Sequence, residues 1–469
     1  MPGLDAPGFY QNPQTYTAVK TNLTVLGYLQ EYKNGVDLRN MYLTSSTGGI
    51  QGINATQAQA TELNVMADAG GEGGVIIDSA NALLQGLYPP YNDTITLANG
   101  TMVSWGLNRA QLIPIETIEP EQDVWMEGWS DCSAWSQYLQ DLYASSDFKE
   151  KASVANKFYQ SQASVLGNRP LTLENGYNIF DFANVESIHN ATLSPQLQPS
   201  LPEYRYWADY HESSAFANSD ASHIANIAGQ SILPPLLDGI NQIYNSTDPL
   251  KLTYLAASYK PFLSLFAMMG LSAPLTTSLV DYASAAVFEV RSDATVTMRF
   301  RNGTDGDFIT YPLFGSSSDS TPISELEAKL RPHSLDSLSS WCDRCSNSET
   351  RGCATLAQLN GTGGGDVEYA SAASTTGRHH VSPVVAGVIG AMVTLAIAAV
   401  LLAAWLFFGG LVKRSRRSTA QASDNKQHAG AAARDSSTYE MPQRTDSKRE
   451  GSIVTAASSS RPDDKNSLH

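Results

Sequence analysis

The chain is 469 residues long, with four cysteines and a formal net charge of −16. Hydrophobic residues make up 42% of it and charged ones 16%, which is too apolar for a disordered chain and enough for a sizeable core. The acidic balance argues against a nucleic-acid partner, because a phosphate backbone would be repelled.

Residues 1–25, MPGLDAPGFYQNPQTYTAVKTNLTV, hold neither a basic start nor an apolar core, so no secretory leader is expected in them. From Thr24 to Tyr42, Leu26, Leu29, Val36 and Leu38 stand among polar residues as in a helix. Gly70, Gly71, Gly73 and Gly74, with Asp68 and Glu72, predict a flexible acidic loop. Ile76 to Leu87 reads as an amphipathic helix stopped by Pro89 and Pro90. Asn99-Gly100 and Asn302-Gly303 predict turns. Leu252 to Ala256 suits a short buried strand. Lys260-Pro261 then opens a helix, with proline at a permitted first-turn position and Gly270 near its end. A strand, a loop and then a helix N-terminus is how an α/β fold usually builds an anion site. Ala285 to Val290 and Thr295 to Phe300 predict a β-hairpin.

Residues 346–383 are rich in Ser, Thr and Gly and read as a flexible stalk. Residues 384–412 carry no charge and are long enough to cross a bilayer with some tilt. Lys413, Arg414, Arg416 and Arg417 follow directly, so residues 413–469 are expected in the cytosol as a disordered tail. Glycosylation sequons start at Asn22, Asn54, Asn92, Asn99, Asn190, Asn245, Asn302 and Asn360, all before that run and none after it. The tail carries +4 and the remainder −20, so the basic stub would face anionic lipid. The expected place is the plasma membrane or another secretory-pathway membrane, with one span through the bilayer. Cys132, Cys342, Cys345 and Cys353 are disulfide candidates with three pairings open. The C-x-x-C of Cys342 and Cys345 lacks the further ligands that zinc needs. Neither metal nor cofactor is expected.

The segment LTVLGYLQEYKNGVDLRNMY holds Leu23, Thr24, Gly27, Gln30, Gly35, Leu38, Arg39 and Tyr42 in the order LTxxGxxQxxxxGxxLRxxY. It resembles the corresponding stretch of histidine acid phosphatases, the second branch of the histidine phosphatase superfamily. Segments 78–90, 114–132, 224–240, 252–271 and 282–303 resemble later stretches of that family in the same order. The likeness spans residues 22–345 and looks nearest to membrane-anchored members of filamentous fungi. It implies a three-layer α/β/α core over residues 1–345 with a helical insert or cap.

The family hydrolyses phosphomonoesters through a phosphohistidine. An RHGxR histidine attacks phosphorus, arginines hold the oxygens, and a His-Asp dipeptide binds phosphate and protonates the leaving group. RHGxR would align upstream of Leu23, where the residues given hold no His or Arg. The family's second arginine aligns with Val75, and its His-Asp dipeptide with Ser258 and Tyr259. Lys260 is a candidate residual cation for a phosphate. His189, His211, His223 and His333 stand in no motif, and His211, beside Asp209 and Glu212, reads as a satisfied or surface histidine. Arg39 is ambiguous: the family pattern includes it, while an arginine more often makes structural ion pairs. The reading is therefore a cell-surface, catalytically degenerate member acting as a binding or sensing module, for a cell-wall or small phosphorylated ligand. The Ser/Thr-rich tail around Arg434 to Glu450 would serve a cytosolic partner. The alternative is an active acid phosphatase on extracellular phosphomonoesters.

Overall fold

The computed structural model describes residues 23–69, 74–105, 110–118 and 123–361. The expected membrane run, the tail, Asn22 and residues 362–383 lie outside them. Among the described residues no helix is long and apolar enough to cross a membrane.

Thr24 caps the first helix, α1 (Val25–Leu38), its hydroxyl accepting from the Gly27 N–H at 3.0 Å. The chain then forms β1 (Leu63–Ala67) and α2 (Val75–Leu87), followed by a hairpin of β2 (Asp93–Thr96) and β3 (Met102–Trp105). A long helical stretch comes next: α3 (Ser133–Ala144), α4 (Ser146–Ser161), one-turn α5 (Ala163–Leu166), α6 (Gly176–His189), one-turn α7 (Ser194–Leu197), α8 (Leu201–Phe216) and α9 (Ile227–Tyr244). The chain returns through β4 (Leu252–Ala256) to α10 (Lys260–Met268). The last elements are β5 (Ala285–Val290), β6 (Thr295–Arg301), β7 (Ile309–Tyr311), β8 (Thr321–Pro322), α11 (Ile323–Leu330), α12 (Leu338–Cys345) and α13 (Cys353–Gly361).

The fold is mixed α/β. β1 and β4 pair in parallel, Leu63 opposite Leu252 and Val65 opposite Tyr254. Leu63 and Val65 bury one face of this pair against Leu83, Leu84 and Leu87 of α2. Strand alternation turns Thr253 to the other face, where it meets Gly239 of α9. Helices thus lie on both faces of a sheet that has two strands among the described residues. The stretch α3–α8 is helical and packs around Phe148, Tyr159, Ile179, Tyr204 and Trp207. β5 and β6 form the expected antiparallel hairpin, and Gly100 and Gly303 turn at φ +83 and +70.

Three expectations change. The apolar spacing in α1 does not mark its buried face: Leu26 and Leu29 are exposed, while Asn34 and Gly35 are buried. The contact with α2 is made by glycines, since a Cβ on Gly35 would lie 1.9 Å from the Leu83 carbonyl oxygen. Arg39 makes backbone bonds instead of the expected ion pairs, donating to the carbonyls of Ala55 at 2.7 Å and Leu87 at 2.9 Å. The stalk does not begin at residue 346, because the folded region continues through α13. Cys353 bonds to Cys342, and buried Arg351 pairs with Asp131 at 3.0 Å.

The second bridge joins Cys132 to Cys345 across 213 residues of sequence. Of the three open pairings this is the one formed, and it separates the two cysteines of the C-x-x-C. Beside it Trp341 is fully buried, its indole N–H donating to the Gly128 carbonyl at 2.8 Å.

Candidate functional site

Because β1 and β4 are parallel, the loops leaving them lie at the same edge of the pair, and each leads into a helix. β1 feeds α2, which starts at Val75, and β4 feeds α10, which starts at Lys260. The ladder continues one step into this edge through the Asp68 N–H, which donates to the Ala256 carbonyl at 3.0 Å. An α/β fold places anions at such an edge, where helix N–H groups point outward. The resemblance aligns catalytic positions of the family with Val75, Ser258 and Tyr259, and the structure brings these and Lys260 to this edge. Residues 70–73 of the glycine loop lie outside the described residues.

Each of the four side chains is committed elsewhere or lacks a partner for chemistry. Val75 opens α2 and is completely buried, so it serves the core. Ser258 is buried, and among the described residues its hydroxyl has no hydrogen-bond partner, so none of them is placed as a base to activate it. The Tyr259 hydroxyl donates to Glu212 Oε2 at 2.7 Å, and its ring packs on Tyr177 with centroids 4.5 Å apart. Lys260 sets its ammonium over the rings of Trp129 at 4.8 Å and Tyr259 at 5.0 Å. Pro261 in the first turn fixes the start of α10.

Glu212 joins these residues into one network. Its Oε1 lies 2.7 Å from His211 Nδ1, and His211 Nε2 lies 2.8 Å from the Tyr143 hydroxyl. Both nitrogens of His211 are therefore taken, and neither is free to attack phosphorus. Burial pushes the Glu212 carboxyl up, but the bond and charge of His211, the charge of Lys260 and the Tyr259 bond outweigh it and hold it below the usual glutamate range. The folded value lies below the unfolded one, so this stabilisation is complete above the usual glutamate pKa and is lost as pH falls through the folded value. Glu212→Gln is expected to cost about 2 kcal/mol at neutral pH and to flatten the acid limb of stability. Urea unfolding from neutral to acidic pH checks this; an unchanged pH slope would overturn the role given to Glu212.

His211 is thus a satisfied buried histidine. His223 caps the turn before α9, its Nδ1 accepting from the Ala225 N–H at 3.2 Å. His189 and His333 line two separate surface clefts away from Ser258–Lys260, one between α1 and α6 and one beside α11. The guanidinium groups of Arg205, Arg301 and Arg331 are each paired with carboxylates in other parts of the fold. Among the described residues no group of three or more His, Cys, Asp or Glu is placed to hold a metal. Glu212, Tyr143, Tyr177 and Trp129 were not anticipated as part of this edge. One signal was available on α8: Tyr204, Trp207, Ala208, His211, Glu212, Ala215 and Phe216 form its buried stripe, so two polar residues sit on an apolar face.

No family model matches the chain. It is 24% identical over 233 residues to lysosomal acid phosphatase of Homo sapiens and of Pongo abelii, a match covering 48% of this chain and 52% of each relative. The phytase of Klebsiella sp ASR1 superposes with a TM-score of 0.40 and 12% identity, covering 67% of this chain and 84% of that one. The phytase of Citrobacter braakii gives 0.44 and 12%, covering 69% and 89%. The chain spans about half the length of the curated relatives it matches, and over that half it is a weak homologue of lysosomal acid phosphatase.

Proposed function

We propose that the folded region is a catalytically silent, histidine acid phosphatase-like binding domain. It belongs to a membrane-anchored protein of fungal type, held by residues 384–412 on the outer side of a plasma or secretory-pathway membrane. The observation that carries the silent reading is the fate of Ser258 and Tyr259. Where the resemblance expects a phosphate ligand and a proton donor, one hydroxyl is buried without a partner among the described residues and the other is bonded to Glu212. This holds wherever the chain begins, because both positions are internal. Losing one donor aimed at transition-state charge costs about 3–4 kcal/mol, and here an arginine and a His-Asp pair are replaced together.

A second reading, an active acid phosphatase, is favoured by the likeness to lysosomal acid phosphatase alone. One assay separates the two. The full chain, purified in detergent, is expected to hydrolyse an aryl phosphate at acidic pH no faster than the buffer blank. Turnover above the blank that disappears in Lys260→Ala would sink the silent reading.

A further inference from the structure

The hairpin of β2 and β3 pairs with no other strand among the described residues. Its register sets Ile95 opposite Val103 and Thr96 opposite Met102. Ile95 is 54% exposed, Leu97 42%, Met102 70% and Val103 38%. A two-stranded hairpin is marginal by itself, and bare strand edges beside apolar side chains invite pairing with other chains. The usual guards are missing, since residues 93–105 hold no Lys, Arg or Pro and a single charge, Asp93.

Two sequons bracket the first strand instead. Asn92 stands directly before β2, with Thr94 two residues on, and Asn99 stands in the turn, with Thr101 two residues on. Both asparagines are exposed. The turn presents Asn99 outward: Leu97 N–H donates to the Thr101 carbonyl at 2.8 Å, Gly100 takes φ +83, and the Thr101 N–H donates to Asn99 Oδ1 at 3.0 Å. Asn302 differs, because its Nδ2 donates to Asp281 Oδ2 at 2.9 Å and its Oδ1 accepts from the Asp281 N–H at 2.8 Å.

We propose that N-linked glycans on Asn92 and Asn99 cover this hairpin and shield Ile95, Leu97, Met102 and Val103 from other chains. The inference rests on the outward placement given under the proposed function. In the modification the Asn Nδ2 bonds to the anomeric carbon of a lipid-pyrophosphate-linked oligosaccharide. The lipid pyrophosphate leaves with the electron pair of the broken C–O bond, and one amide proton passes to a base of the transferase. The glycan then stands in for the charged residues that normally blunt such an edge.

The test uses the full chain expressed through the secretory pathway of a eukaryotic host. Peptide mapping after enzymatic deglycosylation in heavy-oxygen water is expected to show labelled aspartate at positions 92 and 99. The Asn92→Gln/Asn99→Gln variant is expected to move from the monomer peak to the void volume on gel filtration. Adding Ile95→Lys and Met102→Lys is expected to bring the monomer back. Label at Asn245 with none at Asn92 and Asn99 would overturn the inference and leave the outward placement standing. No label at any sequon would overturn the outward placement, and the inference with it. Label at both sites with a double variant as monomeric as the parent would overturn the shielding role.

Discussion

Gly35→Ala is expected to destabilise the protein by about 3 kcal/mol or more, which is at the upper end of what overpacking costs. A methyl on Gly35 would stand 1.9 Å from the Leu83 carbonyl oxygen, 2.7 Å from the Leu87 nitrogen and 2.9 Å from the Gly86 Cα. All three are backbone atoms, so no side chain can swing aside. The converse contact is as tight, since a methyl on Gly86 would stand 2.1 Å from the Tyr32 carbonyl oxygen. Relief requires α1 and α2 to move apart, which also lengthens the bond from the Tyr28 hydroxyl to Gln85, now 2.7 Å, and those from Arg39. Gly306→Ala is the control, because nothing lies within 4 Å of its added methyl, and it should fall within about 0.5 kcal/mol of the parent. Urea midpoints of the three proteins decide it. Equal midpoints for Gly35→Ala and Gly306→Ala would show that the helices do not pack backbone to backbone.

Removing the long bridge is expected to have an effect of the same order. Cys132 and Cys345 close a loop with a sequence separation of 213, and Cys342 and Cys353 close one of 11. Chain entropy gives about 5 kcal/mol for the long loop and just under about 3 for the short one. The double variant Cys132→Ser/Cys345→Ser should therefore lose more stability than Cys342→Ser/Cys353→Ser. It also places two hydroxyls in the core beside Trp341, which adds a desolvation cost. Thermal unfolding under non-reducing conditions measures the order, and disulfide-linked peptides in a digest check the pairing. A larger loss from the short bridge would contradict the entropic account.

Elements whose signal is local were legible in the sequence. Pro261 and Gly270 bound α10, Pro89 ends α2, and Asn302-Gly303 makes its turn, because each acts through its own backbone. The buried face of α1 was not legible, since glycine leaves no apolar stripe to read and the exposed Leu26 and Leu29 suggested another face. The network at the candidate site was hidden for a different reason. Tyr143 comes from α3, His211 and Glu212 from α8 and Tyr259 from the loop before α10, far apart in sequence, so only folding makes these three places neighbours. The sequence showed Val75, Ser258 and Tyr259 standing where the resemblance expects an arginine and a His-Asp pair. How those positions sit in the fold, a core contact at Val75, a hydroxyl at Ser258 without a partner among the described residues and a phenol at Tyr259 held by Glu212, required coordinates. The end of the folded region was misplaced because the run from Ser346 to Gly352 is small and polar, while Arg351 and Cys353 fasten it from within.

The two bridges also decide how the domain answers a mechanical load. Tension arriving from the C-terminal side enters at α13 and meets Cys353 after nine residues. There it crosses to Cys342, and at the far end of α12 it crosses again from Cys345 to Cys132, deep in the middle of the chain. From Cys353 inward the pull is carried by sulfur–sulfur bonds, so α12 cannot peel away in sequence, whereas the part of α13 beyond Cys353 lies outside both bridges. A protein tethered at that end would unravel no further than Cys353 while the two bridges last.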